Sequence, residues 1–88
     1  MRGLEFKIDI QFGWDLFLRQ EKKCALSGLP LTFSRHGQTA SLDRIDSTIG
    51  YLPENVQWTH KAVNQMKMDL PEKDFINLCR TISEYRSC

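Results

Sequence analysis

The hydrophobic and polar positions near the N-terminus repeat with the period of a helix. Asp9 precedes an apolar run, and basic residues collect at the far end of that run. An aspartate in this place is a common N-cap, because its carboxylate accepts a hydrogen bond from a backbone N–H of the first turn. The pattern predicts a helix over about residues 10–20, with apolar positions at Phe12, Trp14, Leu16 and Phe17.

Two short extended segments in the middle of the chain predict a β-hairpin. Residues 40–46 alternate weakly between apolar and charged side chains, and residues 55–60 place Val56 and Trp58 on one face. The connection between them carries Gly50, Pro53 and Asn55, which are typical loop residues. An earlier run, CALSGLPLTF, predicts a turn between two further extended pieces.

Helical periodicity returns after the hairpin and continues to the end of the chain. One helix is predicted to begin at about Thr59, and a last one over about residues 71–86 has Pro71 at its first position. The apolar stripe of the last helix contains Phe75, Leu78, Cys79, Ile82 and Tyr85. The predicted fold is one α+β domain over residues 1–88, in the order helix, hairpin, helix, helix.

Composition narrows the class of protein but does not identify a function. The 88 residues are 41% hydrophobic and 26% charged, which fits one small globular domain with a thin core. No apolar run approaches the roughly 20 residues that cross a bilayer, and the first ten residues, MRGLEFKIDI, lack the apolar core of a signal peptide. We therefore expect a cytoplasmic protein with no membrane partner. The three widely spaced cysteines indicate no disulfide framework.

A candidate metal site lies where the hairpin meets the following helix. Asp43 ends the first strand beside the first turns of that helix, where His60 and Asn64 are four residues apart and share one face. The oxygen atoms of Asp43 and Asn64 suit Mg²⁺ better than zinc. A local cation of this kind would also supply phosphate affinity that the net charge of +1 does not.

Three segments together resemble the HNH endonucleases, namely CALSGLPL, ASLDRID and GYLPENVQWTHKAVNQMK. The resemblance is greatest to the short HNH domains of phages and mobile elements. It implies a small ββα-metal domain with flanking helices, whose core motif covers about residues 24–68. It also implies hydrolysis of a nucleic-acid phosphodiester with one divalent metal ion. We expect the substrate to be double-stranded DNA and the ion to be Mg²⁺ before Mn²⁺.

The resemblance assigns roles to individual residues. Asp43 and Asn64 take the positions of the metal ligands, and Asn55 takes that of the middle Asn, which braces the hairpin loop at the catalytic centre. Arg44 stands where the family has its general-base His. A guanidinium stays protonated, so it cannot accept a proton from water, although it can clamp a phosphate.

Because Arg44 cannot act as the general base, another side chain would have to take that role. His60 is the first choice for the base, because imidazole exchanges protons readily near neutral pH, and it could instead be a third metal ligand. His36 and Asp46 are weaker candidates for the base. Lys61 and Lys67 are expected to contact the DNA backbone together with Arg44.

A structural zinc ion is not expected. Many HNH domains hold zinc between two CxxC pairs, and Cys24 and His60 fall near two of those positions. Ser27 and Val63 occupy the other two, which leaves too few ligands for a four-coordinate site.

Two other functions stay open at this point. Arg44 favours a nucleic-acid-binding domain that kept the fold and lost cleavage, whereas the retained pair of Asp43 and Asn64 argues for a nuclease. A structural zinc module that mediates protein contacts is the third alternative. No separate DNA-recognition module is recognisable in the sequence, so we expect either low specificity, or specificity that comes from a homodimer or a partner protein.

Overall fold

The computed structural model describes residues 6–35 and 37–87. These residues form three α-helices, one short 3-10 helix and one two-stranded antiparallel sheet, joined by loops. The α+β class and the order of the elements agree with the prediction from sequence. The elements are α1 (Ile10–Arg19), β1 (Ala40–Arg44), a short 3-10 helix (Pro53–Asn55), β2 (Val56–His60), α2 (Lys61–Lys67) and α3 (Glu72–Arg86). No helix in this part of the chain has the length and apolar character that a membrane span requires.

Helix α1 begins and ends close to the predicted limits. Asp9 is its N-cap, and the carboxylate accepts a hydrogen bond of 2.7 Å from the backbone N–H of Phe12. The helix packs against β2 through Gly13, whose carbonyl accepts a 2.8 Å hydrogen bond from the indole N–H of Trp58. A β-carbon added at Gly13 would lie 3.5 Å from the Trp58 ring, which is an ordinary van der Waals distance, so the helix and the ring are in close contact here.

The hairpin has the register that places polar side chains toward α2. Its five pairs run from Ala40 opposite His60 to Arg44 opposite Val56, with Asp43 opposite Gln57. Because side chains alternate along a strand, Ser41 and Asp43 share one face of β1. The predicted turn in the CALSGLPLTF run is closed by an isolated antiparallel bridge between Lys23 and Pro30.

The core is small and lies between α1, the turn after it and the sheet. Its buried members are Phe17, Cys24, Leu31 and Ala40, and the half-buried side chains of Leu26, Trp58 and Val63 pack against them. The core therefore packs one face of the sheet against α1. The opposite side of the sheet, where Asp43 lies, is covered by α2.

Two predictions about the C-terminal helices need correction. Helix α2 begins at Lys61 rather than near Thr59, because the ladder of β2 continues to His60. The expected apolar stripe of α3 is buried only at Phe75, whereas Leu78, Ile82 and Tyr85 are 50%, 56% and 83% exposed. The helical period of the apolar residues therefore predicted the helix correctly. It did not predict that most of the apolar stripe is exposed to solvent.

Candidate functional site

A small polar cavity of about 70 Å³ lies where the end of β1, the hairpin loop and α2 meet. It is lined by Leu42, Asp43, Arg44, Ser47, Tyr51, Asn64 and Met68. The two side chains predicted as metal ligands, Asp43 and Asn64, therefore border the same cavity, and so does Arg44. The cavity has room for a small ion with water, since about 10–15 Å³ of such space is enough to hold one water molecule.

The cavity forms because two alternate residues of β1 contact two residues that lie one helical turn apart on α2. The side-chain amide nitrogen of Asn64 donates a 2.6 Å hydrogen bond to Ser41 Oγ. The ammonium group of Lys67 lies 3.1 Å from Asp43 Oδ1. Positions i and i+2 of a strand thus meet positions i and i+3 of a helix, which holds α2 across the strand.

Asp43 is a buried carboxylate with both oxygens engaged. Its side chain is 4% exposed, Oδ1 pairs with Lys67, and Oδ2 accepts a 2.9 Å hydrogen bond from Gln57 Nε2. The same amide nitrogen lies 2.9 Å from Glu72 Oε1, in the first turn of α3. Glu72 is therefore a second carboxylate beside the site, reached through Gln57. Carboxylate oxygens have spare lone pairs, so these hydrogen bonds do not use the full acceptor capacity of Asp43.

Lys67 is buried in the structure, although we expected it on the surface of α2. It was expected to face the DNA backbone from the helix surface, but it is 0% exposed, and Nζ also donates a 3.1 Å hydrogen bond to the Arg44 carbonyl. Lysine is almost never fully buried unless it is paired, and Asp43 supplies the pair. In this structure Lys67 cannot contact nucleic acid, whereas Lys61 at the start of α2 is exposed.

Arg44 braces the hairpin loop at the rim of the cavity. Its Nη1 donates hydrogen bonds of 2.7 Å to the Ser47 carbonyl and 3.4 Å to the Ile49 carbonyl. The guanidinium also lies over the Tyr51 ring, 5.2 Å from the ring centre, which is a cation–π distance. Because a guanidinium has five N–H donors, groups other than Nη1 could still bind a phosphate.

Asn55 organises the same loop from inside. The residue is 6% exposed, and its Oδ1 accepts a 2.9 Å hydrogen bond from the backbone N–H of Asp46. Its Nδ2 donates to the carbonyls of Asp46, Ile49 and Gly50 at 3.0, 3.3 and 2.9 Å. These contacts are those that a loop-bracing role requires, and they hold the loop that carries Arg44 and Ser47 close to Asp43.

His60 lies away from the cavity. It pairs with Ala40 at the opposite end of the ladder from Arg44, and it follows Thr59, so its side chain leaves the sheet on the face opposite to Ser41 and Asp43. Its Nδ1 accepts a 3.1 Å hydrogen bond from the backbone N–H of Ala62 and caps α2. The structure therefore does not bring the expected base to Asn64. His36 lies outside the described residues.

Two hydrogen-bonded acidic groups have shifted pKa values. Burial raises the pKa of the Cys24 thiol, but hydrogen bonds from Ser27 and from the backbone of His60 and Leu26 bring the pKa below its ordinary value. In the hairpin loop, the hydroxyl and backbone N–H of Thr48 hold the pKa of Asp46 below its usual range. Asp46 is thereby committed to the turn as a carboxylate, which weakens its candidacy as a base.

The residues present fit a hard divalent cation held through few protein atoms. In the described ranges no three His, Cys, Asp or Glu side chains gather into a metal-binding group. An ion would therefore be bound by Asp43, the amide oxygen of Asn64 and water. Mg²⁺ commonly keeps several waters and takes one or two protein ligands beside a phosphate, so this donor set suits it.

Sequence reasoning missed several side chains around Asp43. Gln57 and Lys67 contact the carboxylate directly, and Glu72 lies behind Gln57. The available signal was geometric, because Gln57 faces Asp43 in any hairpin that pairs residues 40–44 with 56–60. Lys67 is one turn from Asn64 on the same helix face, but that spacing alone does not determine whether its side chain reaches Asp43.

Comparisons with known proteins find similarity to a bacteriophage protein. No protein-family model matches the chain, and no solved structure is a significant match. The chain is 31% identical over 75 residues to a protein of Enterobacteria phage T4, described as an uncharacterized 29.0 kDa protein in the dda-modA intergenic region. The match covers 85% of this chain and 29% of the phage protein, so the chain corresponds to a minor part of that relative.

Proposed function

We propose that this chain is a metal-dependent HNH-type endonuclease domain that hydrolyses phosphodiester bonds of double-stranded DNA at the cavity between β1 and α2. One observation carries the proposal: Asp43 and Asn64, distant in sequence, border one polar cavity together with Arg44. The order of a hairpin followed directly by α2 agrees with a ββα-metal domain. The phage source of the relative agrees with a phage-like setting and adds nothing about the reaction.

Five side chains in or near the cavity have a part in this proposal. Asp43 and the amide oxygen of Asn64 hold a divalent ion, Mg²⁺ before Mn²⁺. When bound, that ion supplies a Lewis acid for the phosphoryl oxygen and the leaving oxygen. Arg44 turns its free N–H groups toward the scissile phosphate and offsets the charge that develops there. Asn55 keeps Arg44 in place through the loop, and the exposed Lys61 contacts the DNA backbone.

A nucleic-acid-binding domain without cleavage is the second candidate. Two observations favour it, because no described His reaches the cavity to act as base and because Lys67 already neutralises Asp43. This alternative keeps the contacts of Arg44 and Lys61 with phosphate and discards the hydrolysis.

Nicking of supercoiled plasmid separates the two candidates. The unchanged protein is incubated with Mg²⁺, Mn²⁺ or EDTA beside Asn64→Ala and the matched control Gln65→Ala, an exposed neighbour on the same helix. We expect metal-dependent nicking that falls at least about 100-fold in Asn64→Ala, in the range seen when one catalytic stabilising group is removed. Gln65→Ala should nick normally. Absence of nicking with either metal, while the protein still retards DNA in a gel, would favour the binding domain.

A further inference from the structure

The ammonium group of Lys67 occupies the place of a counter-ion within the candidate metal site. Lys67 is 0% exposed and Asp43 is 4% exposed, and their charged atoms lie 3.1 Å apart. A carboxylate removed from water to this degree requires a compensating positive charge. In the protein without metal, Lys67 provides that charge, so the site is neutral before any ion arrives.

We propose that Lys67 is a built-in competitor of the divalent ion for Asp43, and that it sets the metal affinity of the site. The inference rests on the proposed function, since it presumes that Asp43 is a metal ligand. A divalent ion on Asp43 would lie beside a buried ammonium group at a distance where like charges repel strongly and solvent screens them little. Metal therefore binds only as the ammonium withdraws from Oδ1.

The structure offers the ammonium group a place to withdraw to. Nζ already donates a 3.1 Å hydrogen bond to the Arg44 carbonyl, so it keeps one acceptor when it leaves Asp43. The lysine stem has several rotatable bonds, so a change of side-chain rotamer is the rearrangement that the exchange requires. Loss of the ion pair is thus compensated in part, and exchange between ammonium and metal requires only a local rearrangement.

The competition predicts opposite effects of one substitution on stability and on metal binding. Lys67→Gln removes the charge and keeps an amide that can donate to Asp43. The variant without metal should melt at a lower temperature, because Asp43 loses its counter-charge. The same loss leaves Asp43 free for an ion, so Mn²⁺ should bind more tightly and raise the melting temperature more than it does in the unchanged protein.

Calorimetric titration with Mn²⁺ tests the proposal. Lys67→Gln is compared with the unchanged protein and with Lys61→Gln, which removes the same charge from an exposed position on the same helix. We expect a dissociation constant at least about tenfold lower for Lys67→Gln, given the strength of charge interactions at this distance. Lys61→Gln should stay within about twofold, because solvent screens exposed charges. Equal constants in all three proteins would overturn the competition and leave the metal site standing. No binding to any of them would overturn both.

A measurement on the unchanged protein covers the case in which Lys67→Gln does not fold. Lysine side chains and Asn64 are labelled with ¹⁵N, and their ammonium and amide signals are followed during titration with Mg²⁺. A buried, hydrogen-bonded ammonium group exchanges slowly enough to be observed, and we expect the Lys67 signal to shift together with the Asn64 amide. If the Asn64 amide shifts and the Lys67 signal stays constant, Lys67 does not compete. If neither responds, the metal site itself is refuted.

Discussion

At the scale of single residues, Asn55 determines whether the hairpin loop keeps its shape. The four hydrogen bonds of its side-chain amide join three carbonyls and one N–H of the loop, and the residue is 6% exposed. Asn55→Ala removes them and leaves the buried Gly50 carbonyl without this donor. We expect a loss of about 2–3 kcal/mol in the free energy of unfolding, measured by urea denaturation. An unchanged value would mean that water replaces the amide.

The matched control for this substitution lies on α3. Asn77 is exposed, and its side chain accepts one hydrogen bond from Arg80. Asn77→Ala should change the free energy of unfolding by no more than about 0.5 kcal/mol. A comparable loss in both variants would show that the buried loop contacts of Asn55 are not what stabilises the protein.

At the residue scale, the sequence predicted that Asp43 and Asn64 lie at one site, but it did not predict the position of Lys67. Asp43 and Asn64 could be paired because a hairpin followed by a helix brings a strand end close to the next helical turns, and the structure places both at one cavity. Lys67 could not be placed in the same way. Whether a lysine faces water or a carboxylate depends on how α2 rotates over the strand, and local spacing does not determine that rotation.

At the scale of elements, His60 is the N-cap of α2, and this predicts what its substitution does. His60→Asn keeps a good capping side chain and removes the imidazole, whereas His60→Ala removes both. We expect His60→Asn to nick plasmid as the unchanged protein does, because Nδ1 contacts the Ala62 N–H and the ring lies away from the cavity. His60→Ala should lose about 1 kcal/mol of stability. Loss of nicking in a well-folded His60→Asn would restore the histidine as the base.

Helix α3 depends on one buried side chain for its attachment. Phe75 is 5% exposed and lies among Leu26, Val63 and Met66, whereas Ile82 is 56% exposed. Phe75→Ala should lower the free energy of unfolding by about 3 kcal/mol, and Ile82→Ala by no more than about 0.5 kcal/mol. Because Glu72 begins α3 and contacts Gln57, detachment of the helix should also weaken metal binding at Asp43. Equal losses in the two variants would mean that the exposed stripe is covered in solution.

At the element scale, the sequence pattern predicted the order of the elements well and the burial of α3 poorly. The order of helices and strands follows from periodicity and caps, such as Asp9 before α1. The extent of burial on α3 did not follow, because an apolar stripe records which residues share a face and not whether another element covers that face. A small domain buries a smaller fraction of its surface than a large one does, so part of such a stripe stays exposed.

At the scale of the whole molecule, the balance of charge limits how DNA can be bound. A net charge of +1 provides little general attraction to phosphate, so binding without metal should involve few contacts. Each neutralised phosphate contributes about −0.9 to the slope of log affinity against log salt, and we expect a slope near −2 in EDTA. Lys61→Gln should make that slope shallower by about 1, whereas Lys73→Gln on α3 should leave it unchanged.

The same charge balance makes DNA binding dependent on the metal site. Ca²⁺ supplies positive charge at Asp43, so fluorescence anisotropy with a labelled duplex should show tighter binding in Ca²⁺ than in EDTA at equal ionic strength. Asn64→Ala should lose this increase, since it removes a ligand of the ion, and it should keep the weak binding in EDTA. A slope near −6 in EDTA with no response to Ca²⁺ would contradict the prediction. Such a result would require an extended basic surface that binds DNA independently of Asp43 and Asn64.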